Sequence, residues 1–370
     1  MQAIEKRNSL FNSLTQAIEK RNSLFNSLTQ AIFDKEMANF WLQKVNPLWS
    51  VKHGLVQIVK KEFVAHDMVS LTLKCNRLVK MGVAGQHHPV IVEIAGRRYE
   101  RTYSLTQIDA QHLRLTVKKV ADGIVSNWFI SESQIGDIFE LGQPYGDMQQ
   151  NIKTPNLIML AAGSGITPML SLITAIKQSQ QLDKVQVQLL YWVKQRSDAA
   201  FVEYFEKVAQ QYPNFNYQVF YTQETPNDER LNTEHLALVD DVENSTIYAC
   251  GPSGFVATVE QLFEKSPAVL TEAFSLTNES SADDIGYVNV TLTQSNKVIA
   301  IPKGQSILVS LEHEGLKPTH GCRMGICNKC VCNKSQGSTR NLLNGSENTE
   351  PSQLLKICVN SAQSDLVIDL

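Results

Sequence analysis

The spacing of apolar residues changes along the chain and predicts more than one kind of domain. Between residues 51 and 147, apolar residues stand in short alternating or continuous runs bounded by Gly, Asp or Asn. Runs of this length predict β-strands, and a series of them indicates an antiparallel barrel or sandwich. The candidate strands are residues 55–59, 69–73, 90–94 and 113–117.

From residue 156 to about residue 274, apolar runs alternate with longer stretches of helical character. Such an alternation of strand and helix predicts a parallel α/β sheet. The candidate strands are residues 157–161, 185–191, 217–221 and 247–249, and the candidate helices are residues 168–178, 201–210 and 255–264.

The polar residues 276–284 predict a linker, and the residues after it predict a small α+β domain. Its expected elements are a hairpin at residues 287–293 and 297–301, a helix at residues 306–314 that Gly315 ends, and a closing strand at residues 366–370. A chain of 370 residues is too long for a single core, so we expect a multidomain protein. The predicted divisions are an N-terminal extension at 1–50, an antiparallel β-barrel at 51–150, an α/β domain at 151–275, a linker at 276–285 and an α+β domain at 286–370.

The N-terminal extension contains an unchanged tandem repeat, because residues 3–16 recur at residues 17–30. The period of 14 residues keeps the apolar positions in phase and predicts an amphipathic helix. One interpretation is a recent duplication of a tolerated extension. The other is a docking helix for a partner or a membrane surface. The apolar residues in phase are Ile4, Phe11, Ile18, Phe25 and Ile32.

Composition and charge exclude some function classes. The chain is 43% hydrophobic and 19% charged, which is ordinary for a globular protein. Its net charge of −3 gives no reason to expect nucleic-acid binding. It also lacks the uninterrupted apolar run of about 18 residues that spans a membrane. We therefore expect a cytoplasmic protein that can associate with a membrane through its partner.

Four cysteines near the C-terminus carry the most specific chemistry in the chain. Cys322, Cys327 and Cys330 have the spacing C-x4-C-x2-C, and Cys358 follows at a distance. This is the plant-type pattern in which four thiolates hold a [2Fe–2S] cluster. A structural zinc site more often shows two C-x2–4-C pairs, and disulfides are disfavoured because no secretory signal is evident. Cys75 and Cys332 are interpreted as small apolar residues.

A second motif, Arg101-Thr102-Tyr103-Ser104, follows Gly85-Gln86 and precedes Gly123-Ile-Val-Ser-Asn127. At these motifs the chain resembles the ferredoxin–NADP reductase superfamily, and the resemblance covers essentially everything after residue 53. It implies a flavin-binding barrel, a nicotinamide-nucleotide α/β domain and a β-grasp ferredoxin domain at the C-terminus. It further implies that Arg101 neutralises the flavin pyrophosphate, that Tyr103 packs on the isoalloxazine ring, and that Ser104 hydrogen-bonds near flavin N5. The other flavin contacts that it implies are Thr102, Val117, Gly123, Val125, Ser126 and Asn127.

FAD is favoured over FMN as the flavin. The Ser126-Asn127 turn and the later Pro144-Tyr-Gly-Asp147 segment resemble the FAD-binding members of the superfamily. Some relatives with the same domain order use FMN, so FMN stays open as an alternative.

Two further motifs resemble the nicotinamide-nucleotide loops of the superfamily. The segment Gly163-Ser-Gly-Ile-Thr-Pro168 has a proline where G-x-G-x-x-G has its third glycine, and a proline suits the first turn of a helix. Taken alone, Cys250 would be a buried core thiol and Glu272 a surface carboxylate. The resemblance instead implies that Ser104, Cys250 and Glu272 are the catalytic residues that line the contact between nicotinamide and flavin. The nucleotide contacts that it implies are Gly163, Gly165, Thr167, Pro168, Cys250, Gly251 and Pro252.

Basic residues near the ends of two candidate strands favour NADPH over NADH. Arg196 closes the segment Lys194-Gln-Arg196, and Arg230 follows the third candidate strand. NADPH sites place cations where NADH sites place an acid, because only NADPH carries a 2′-phosphate. Asp198 stands nearby, so NADH stays open as an alternative.

Together the motifs indicate an NAD(P)H oxidoreductase that passes electrons through FAD and a [2Fe–2S] cluster, singly, to an acceptor protein. Residues 39–49 resemble the segment that precedes the flavin domain in bacterial reductases of fatty-acyl desaturases, so we expect a membrane desaturase as partner. The alternatives are a reductase component of a Rieske or di-iron oxygenase, a stand-alone flavin reductase with a structural metal module, and a binding module without activity. We expect a monomer that contacts membranes peripherally through its N-terminus.

Overall fold

The computed structural model describes residues 35–149, 154–224, 230–239, 241–275 and 286–370. The tandem repeat and the predicted linker lie outside the described residues. The first described element is helix α1, Lys35–Val45. No helix in these ranges combines the length and the apolar character that crossing a bilayer requires.

Helix α1 is held to the segment that follows it by part-buried polar contacts. The Asn39 side-chain oxygen accepts hydrogen bonds from the Val51 backbone N–H at 2.8 Å and from the Ser50 hydroxyl at 3.2 Å. Leu48 is buried as well. Phe40 and Trp41, by contrast, are more than half exposed.

The next part of the chain forms a closed antiparallel barrel with strand order β1-β2-β5-β4-β3-β6. Inward-facing apolar residues such as Leu71, Leu73 and Leu115 fill it, as expected from the two-residue period of a strand. One end is covered by the short helix α2 and the turn at Trp128–Glu132, which bury Phe129 completely. The strands are β1 Leu55–Ala65, β2 Met68–Cys75, β3 His87–Ile94, β4 Arg97–Gln107, β5 His112–Lys118 and β6 Ile138–Leu141, and α2 is Ile124–Asn127.

Gly85, just before β3, meets a steric constraint that only glycine satisfies. Its φ angle is +91°, in the region that disfavours other residues. A Cβ atom there would lie 1.8 Å from the Met148 carbonyl oxygen. The loop before β3 therefore passes directly against the segment that leaves the barrel.

The second sheet is parallel, with strand order β11-β10-β7-β8-β9. Helix α3 joins it to the barrel, because the Ser171 hydroxyl donates to the Leu105 carbonyl at 3.0 Å and the Gln178 amide donates to the Ile108 carbonyl at 2.9 Å. The strands are β7 Asn156–Ala162, β8 Gln186–Val193, β9 Phe215–Tyr221, β10 Ser245–Pro252 and β11 Ala268–Ser275, and the helices are α3 Ile166–Gln178, α4 Val202–Gln211 and α5 Ser253–Leu262.

The C-terminal part is a mixed sheet of order β13-β12-β19-β14-β17 with helix α6 packed on it, beside a small sheet β16-β15-β18. Ser306 caps α6, since its hydroxyl accepts from the Val309 N–H at 3.3 Å, and Gly315 follows the helix with φ +77°. The elements are β12 Tyr287–Leu292, β13 Lys297–Pro302, α6 Ile307–His313, β14 Val331–Gln336, β15 Thr339–Asn341, β16 Glu347–Asn348, β17 Gln353–Lys356, β18 Asn360–Ala362 and β19 Leu366–Ile368.

The predicted multidomain architecture of barrel, parallel sheet and α+β domain is confirmed. The residue boundaries of the domains stay predictions. Several strands were not predicted from the sequence, among them β4 and β11. Strand β4 is rich in Arg and Tyr and is exposed or half-buried over its first seven residues, so it lacks an apolar alternation. Strand β11 lies at the edge of its sheet.

Candidate functional site

A cleft of about 880 Å³ lies between the barrel and the parallel sheet. A cleft of this size suits a ligand as large as a cofactor. Its walls come from all three parts of the fold, since Met324 belongs to the loop between Cys322 and Cys327. The walls include Thr102, Tyr103, Ser104, Lys118 and Ser126 from the barrel, and Gly163, Thr167, Lys194, Arg230, Gly251, Pro252 and Phe274 from the sheet.

The residues of the flavin motif on β4 have two different surroundings: some line the cleft, and Arg101 lies near the C-terminal domain. Tyr103 lines the cleft and meets Phe129 edge-on, with ring centroids 6.3 Å apart; burial raises the pKa of its hydroxyl above the usual range. Arg101 is not among the lining side chains. Its guanidinium donates to the Glu100 carbonyl at 2.7 Å, and its pKa is lowered by burial and then by the nearby Arg323.

Ser104 and Glu272, two of the predicted catalytic residues, are joined through a buried histidine. The His87 Nδ1 atom lies 3.1 Å from the Ser104 hydroxyl, and its Nε2 atom contacts the Glu272 carboxylate. The second oxygen of Glu272 is buried and has no hydrogen-bond partner among the described residues. A buried carboxylate oxygen without a partner is costly unless a bound group supplies one. Glu272, His87 and Cys250 are themselves not among the side chains that line the cleft. Sequence reasoning missed His87, although it directly follows Gly85-Gln86.

The predicted phosphate turn at Gly123 is held by its own side chains. The Ser126 hydroxyl accepts from the Val120 N–H at 3.3 Å and donates to the Gly123 carbonyl at 3.2 Å. The Asn127 amide donates to the Val120 carbonyl at 3.1 Å. Of this turn, Ser126 reaches the cleft. Val117 and Val125 lie in the barrel core instead.

The two nucleotide motifs touch each other through their backbones. A Cβ atom on Gly165 would lie 1.9 Å from the Cys250 carbonyl oxygen, so the loop after β7 and the end of β10 can approach only with glycine there. The Thr167 hydroxyl donates to the Ser164 carbonyl at 3.1 Å, and Pro168 is buried in the first turn of α3. Gly163, with φ +55°, completes the loop.

Cys250 is fully buried and pairs in register with Glu272 across β10 and β11. Burial raises the pKa of its thiol well above the usual range, and the negative charge of Glu272 adds to the effect. The thiol therefore stays protonated and serves as a small packed group beside the Ser104–His87–Glu272 chain.

The cations predicted to recognise the nucleotide are not equivalent in the structure. Lys194 and Arg230 line the cleft, whereas Arg196 does not. The Arg196 Nε atom lies 3.1 Å from the Glu224 carboxylate, and the guanidinium stacks 4.7 Å from the centre of the Tyr221 ring. A carboxylate and an aromatic ring therefore already engage Arg196.

The four predicted cluster cysteines form two pairs. The sulfur atoms of Cys330 and Cys358 are 3.1 Å apart. The Cys322 N–H donates to the Cys327 sulfur at 3.2 Å, and the Cys327 N–H donates back at 3.4 Å. A hydrogen bond from Cys322 lowers the pKa of Cys327 to about 5, and one from Cys358 lowers that of Cys330 to about 7.

This pairing suits two metal atoms better than one. Within the described ranges, no three His, Cys, Asp or Glu side chains are grouped to hold a single ion. A structural zinc ion needs four ligands around one point, whereas each iron of a [2Fe–2S] cluster takes two protein ligands. The donor set therefore fits the cluster. Burial raises the pKa of the nearby Cys332 thiol to about 12, which disfavours the thiolate that a ligand must supply.

The cysteine loop and the barrel also meet at Tyr145. The hydroxyls of Tyr145 and Thr102 are 2.7 Å apart. Burial raises the pKa of Tyr145, and the proximity of Cys322 and Cys327 raises it further. Tyr145 thus stands between the cysteine loop and the strand that carries Tyr103 and Ser104.

Comparison with known families matches each part of the chain to a different domain. Residues 55–150 match the oxidoreductase FAD-binding domain, and residues 159–261 match the oxidoreductase NAD-binding domain. Residues 290–359 match the 2Fe-2S iron-sulfur cluster binding domain. The three matches follow the order of barrel, parallel sheet and C-terminal domain.

Similar proteins align with most of this chain and over most of their own length. An NADPH oxidoreductase of Mycobacterium tuberculosis is 29% identical, over 89% of this chain and 88% of its own. The glycine betaine monooxygenase reductase subunit of Chromohalobacter salexigens is 24% identical, over 77% and 86%. The solved structure of phthalate dioxygenase reductase has the same fold, with a TM-score of 0.63 at 23% identity, covering 86% of this chain and 98% of that one.

Proposed function

The chain belongs to the ferredoxin–NADP reductase superfamily and carries a C-terminal [2Fe–2S] domain, and from this premise we propose that it delivers electrons from NADPH to a fatty-acyl desaturase. It is an NAD(P)H-dependent oxidoreductase with FAD and a [2Fe–2S] cluster as cofactors. FAD exchanges electrons in pairs with a nicotinamide and singly with an iron–sulfur centre, so it joins the two carriers.

One observation carries the proposed route of the electrons. Met324, from the cysteine loop, lines the same cleft as Tyr103 and Ser104. The loop that would hold the cluster and the strand that would hold the flavin therefore share one wall. This proximity supports transfer inside the chain before any partner is met.

We assign the catalytic roles to Ser104, which lines the cleft, and to Glu272 and Cys250, which adjoin Ser104 through His87 and the β10–β11 pairing. Ser104 holds a hydroxyl at the cleft wall, and His87 fixes its orientation. Glu272 orients His87 in turn, and Cys250 is a fully buried thiol that pairs in register with Glu272. The task of these groups is to position the reacting faces.

A protein acceptor is supported by the relatives, and the choice of a desaturase rests on the N-terminal segment. The relative from Chromohalobacter salexigens is named as the reductase subunit of a monooxygenase, which favours an oxygenase component as the second candidate. Residues 39–49, whose resemblance suggests a desaturase, include the exposed Phe40, Trp41 and Trp49. Aromatic residues of this kind are enriched where proteins meet membrane interfaces.

Replacing a cluster ligand should separate two activities. In Cys327→Ser, we expect electron delivery to a protein acceptor to be abolished, because one iron loses a thiolate. Reduction of a dye that takes electrons directly from the flavin should continue at the rate of the unmodified protein. Cys332→Ser is the matched control and should keep both activities. Equal loss of both activities in Cys327→Ser, or stoichiometric zinc in place of iron and sulfide, would contradict the proposed route.

Removing the Ser104 hydroxyl should slow the reduction of the flavin by NADPH. We expect Ser104→Ala to lower the rate of flavin bleaching in a stopped-flow experiment by about 10²-fold, the usual cost of misplaced reacting groups. Thr106→Val is the control, since Thr106 is a buried hydroxyl on the same strand that does not line the cleft. An equal effect of both substitutions would assign the loss to the strand rather than to Ser104.

Lys194 should determine the preference for NADPH. In Lys194→Ala we expect kcat/KM for NADPH to fall about 10- to 100-fold, the loss of a charge-assisted hydrogen bond to phosphate, with little change for NADH. Arg196→Ala should change neither value much, because Glu224 and Tyr221 already hold this side chain. A larger effect at Arg196, or a native preference for NADH, would overturn this assignment.

The proposed partner and the N-terminal membrane contact can be tested together. We expect deletion of residues 1–36 to lower vesicle association and coupled desaturation, while NADPH-dependent dye reduction is unchanged. Co-purification from the native host should recover a membrane desaturase. Recovery of an oxygenase component instead, or unchanged desaturation after the deletion, would decide against this part of the proposal.

A further inference from the structure

Lys329, in the cysteine loop, reaches across to strand β4 of the barrel. Its Nζ atom lies 2.6 Å from one oxygen of the Glu100 carboxylate and 2.7 Å from the other. Lys329 stands between the ligands Cys327 and Cys330, and Glu100 directly precedes the flavin motif. The ion pair therefore links the loop that would hold the cluster to the strand that would hold the flavin.

The backbone around this ion pair is closely packed. A Cβ atom on Gly321 would lie 2.9 Å from the Glu100 carboxylate, 2.9 Å from the Lys329 side chain and 3.0 Å from the Cys327 sulfur. Gly321 thus leaves just enough room for the carboxylate to sit against the cysteine loop. A larger residue there would require these side chains to shift.

Other charged side chains at the loop are used inside the C-terminal domain. Arg323 donates to the Glu312 carboxylate at 2.8 Å, and the Lys356 ammonium donates to the Gly325 carbonyl at 2.5 Å. These contacts lie within the C-terminal domain, and the Arg323 guanidinium also lies near the like charge of Arg101 on β4, which gives no attraction to the barrel. Lys329 faces the barrel instead, which distinguishes its role from theirs.

The ion pair is suited to positioning rather than to stabilising the fold. The Lys329 side chain is 45% exposed and that of Glu100 is 18% exposed, and exposed ion pairs contribute little to stability. Glu100 and Ser104 are four residues apart on one strand, which corresponds to about 13 Å. Fixing Lys329 on Glu100 therefore fixes the cysteine loop at a short, defined distance from the predicted flavin site.

We propose that Glu100 and Lys329 are positioning residues that hold the cysteine loop against β4 for electron transfer from flavin to cluster. The inference rests on the proposed route of the electrons. It adds that docking of the two parts depends on one pair of opposite charges. Reversing either charge opens the junction, and reversing both closes it again.

The test measures the two transfers separately in the full-length protein with both cofactors bound. After mixing with NADPH, stopped-flow absorbance follows the flavin and then the cluster. We expect Glu100→Lys and Lys329→Glu each to slow cluster reduction about fivefold, the upper range for an exposed ion pair, with flavin reduction unchanged. The double variant should return to within about twofold of the original rate, as complementary charges are restored. Glu62→Lys, at a partly exposed glutamate on β1, is the control and should change neither rate.

Two further measurements distinguish a charge contact from a general structural role. At about 1 M salt the screening length falls to roughly 3 Å, so cluster reduction in the original protein should slow toward the rate of the single variants. Carbodiimide treatment should produce an amide between Glu100 and Lys329, detected as a linked peptide by mass spectrometry and absent in Lys329→Arg.

Each result of these experiments either supports or overturns the inference. Unchanged cluster reduction in the single variants overturns the inference, and so does a slow double variant with normal iron and flavin content. Absence of the linked peptide overturns it as well. If the original protein reduces its flavin but never its cluster, the proposed route fails first. Should Glu100→Lys lose flavin because of its neighbour Arg101, Lys329→Glu carries the same test from the other side.

Discussion

Strand β4 is the element on which the arrangement of the sites depends. Alternate residues of a strand face the same side, so Glu100, Thr102 and Ser104 form one row. Glu100 pairs with Lys329 of the cysteine loop, Thr102 with Tyr145, and Ser104 with His87, which leads on to Glu272 in the parallel sheet. A single strand thus aligns all three parts of the fold, and a shift of one residue would turn the row to the other face.

Much of this could be predicted from local sequence. The apolar runs located most strands, and the cysteine spacing located the cluster ligands, because both patterns lie within a few residues. The contact between the side chains of His87 and Glu272 could not be predicted in this way, since the two residues are 185 positions apart. Strand β4 was missed because its polar residues serve contacts with other domains rather than the barrel core. The same polar contacts that obscured the strand make it important to the site.

The basic residues predicted to bind the nucleotide show that sequence spacing alone does not identify which side chains reach the cleft. Lys194 and Arg196 are two residues apart just after β8, and sequence reasoning weighted Arg196. The structure places Lys194 at the cleft and Arg196 against Glu224 and Tyr221. Glu224 follows β9, so the distinction depends on how two strand ends meet, which a linear motif does not contain.

The contact between the two nucleotide loops and the contact between the barrel and the cysteine loop differ in how rigid they are. Between the nucleotide loops, Gly165 lies against the Cys250 carbonyl, and backbone packing of this kind permits almost no movement. Between the barrel and the cysteine loop, a half-exposed ion pair makes the contact, and such a pair can open and re-form at low cost. A rigid junction suits the placement of a nicotinamide over a flavin, where small errors in geometry are expensive. A junction held by one charge pair suits a cluster that must also meet an external acceptor, because the loop can yield without unfolding its domain.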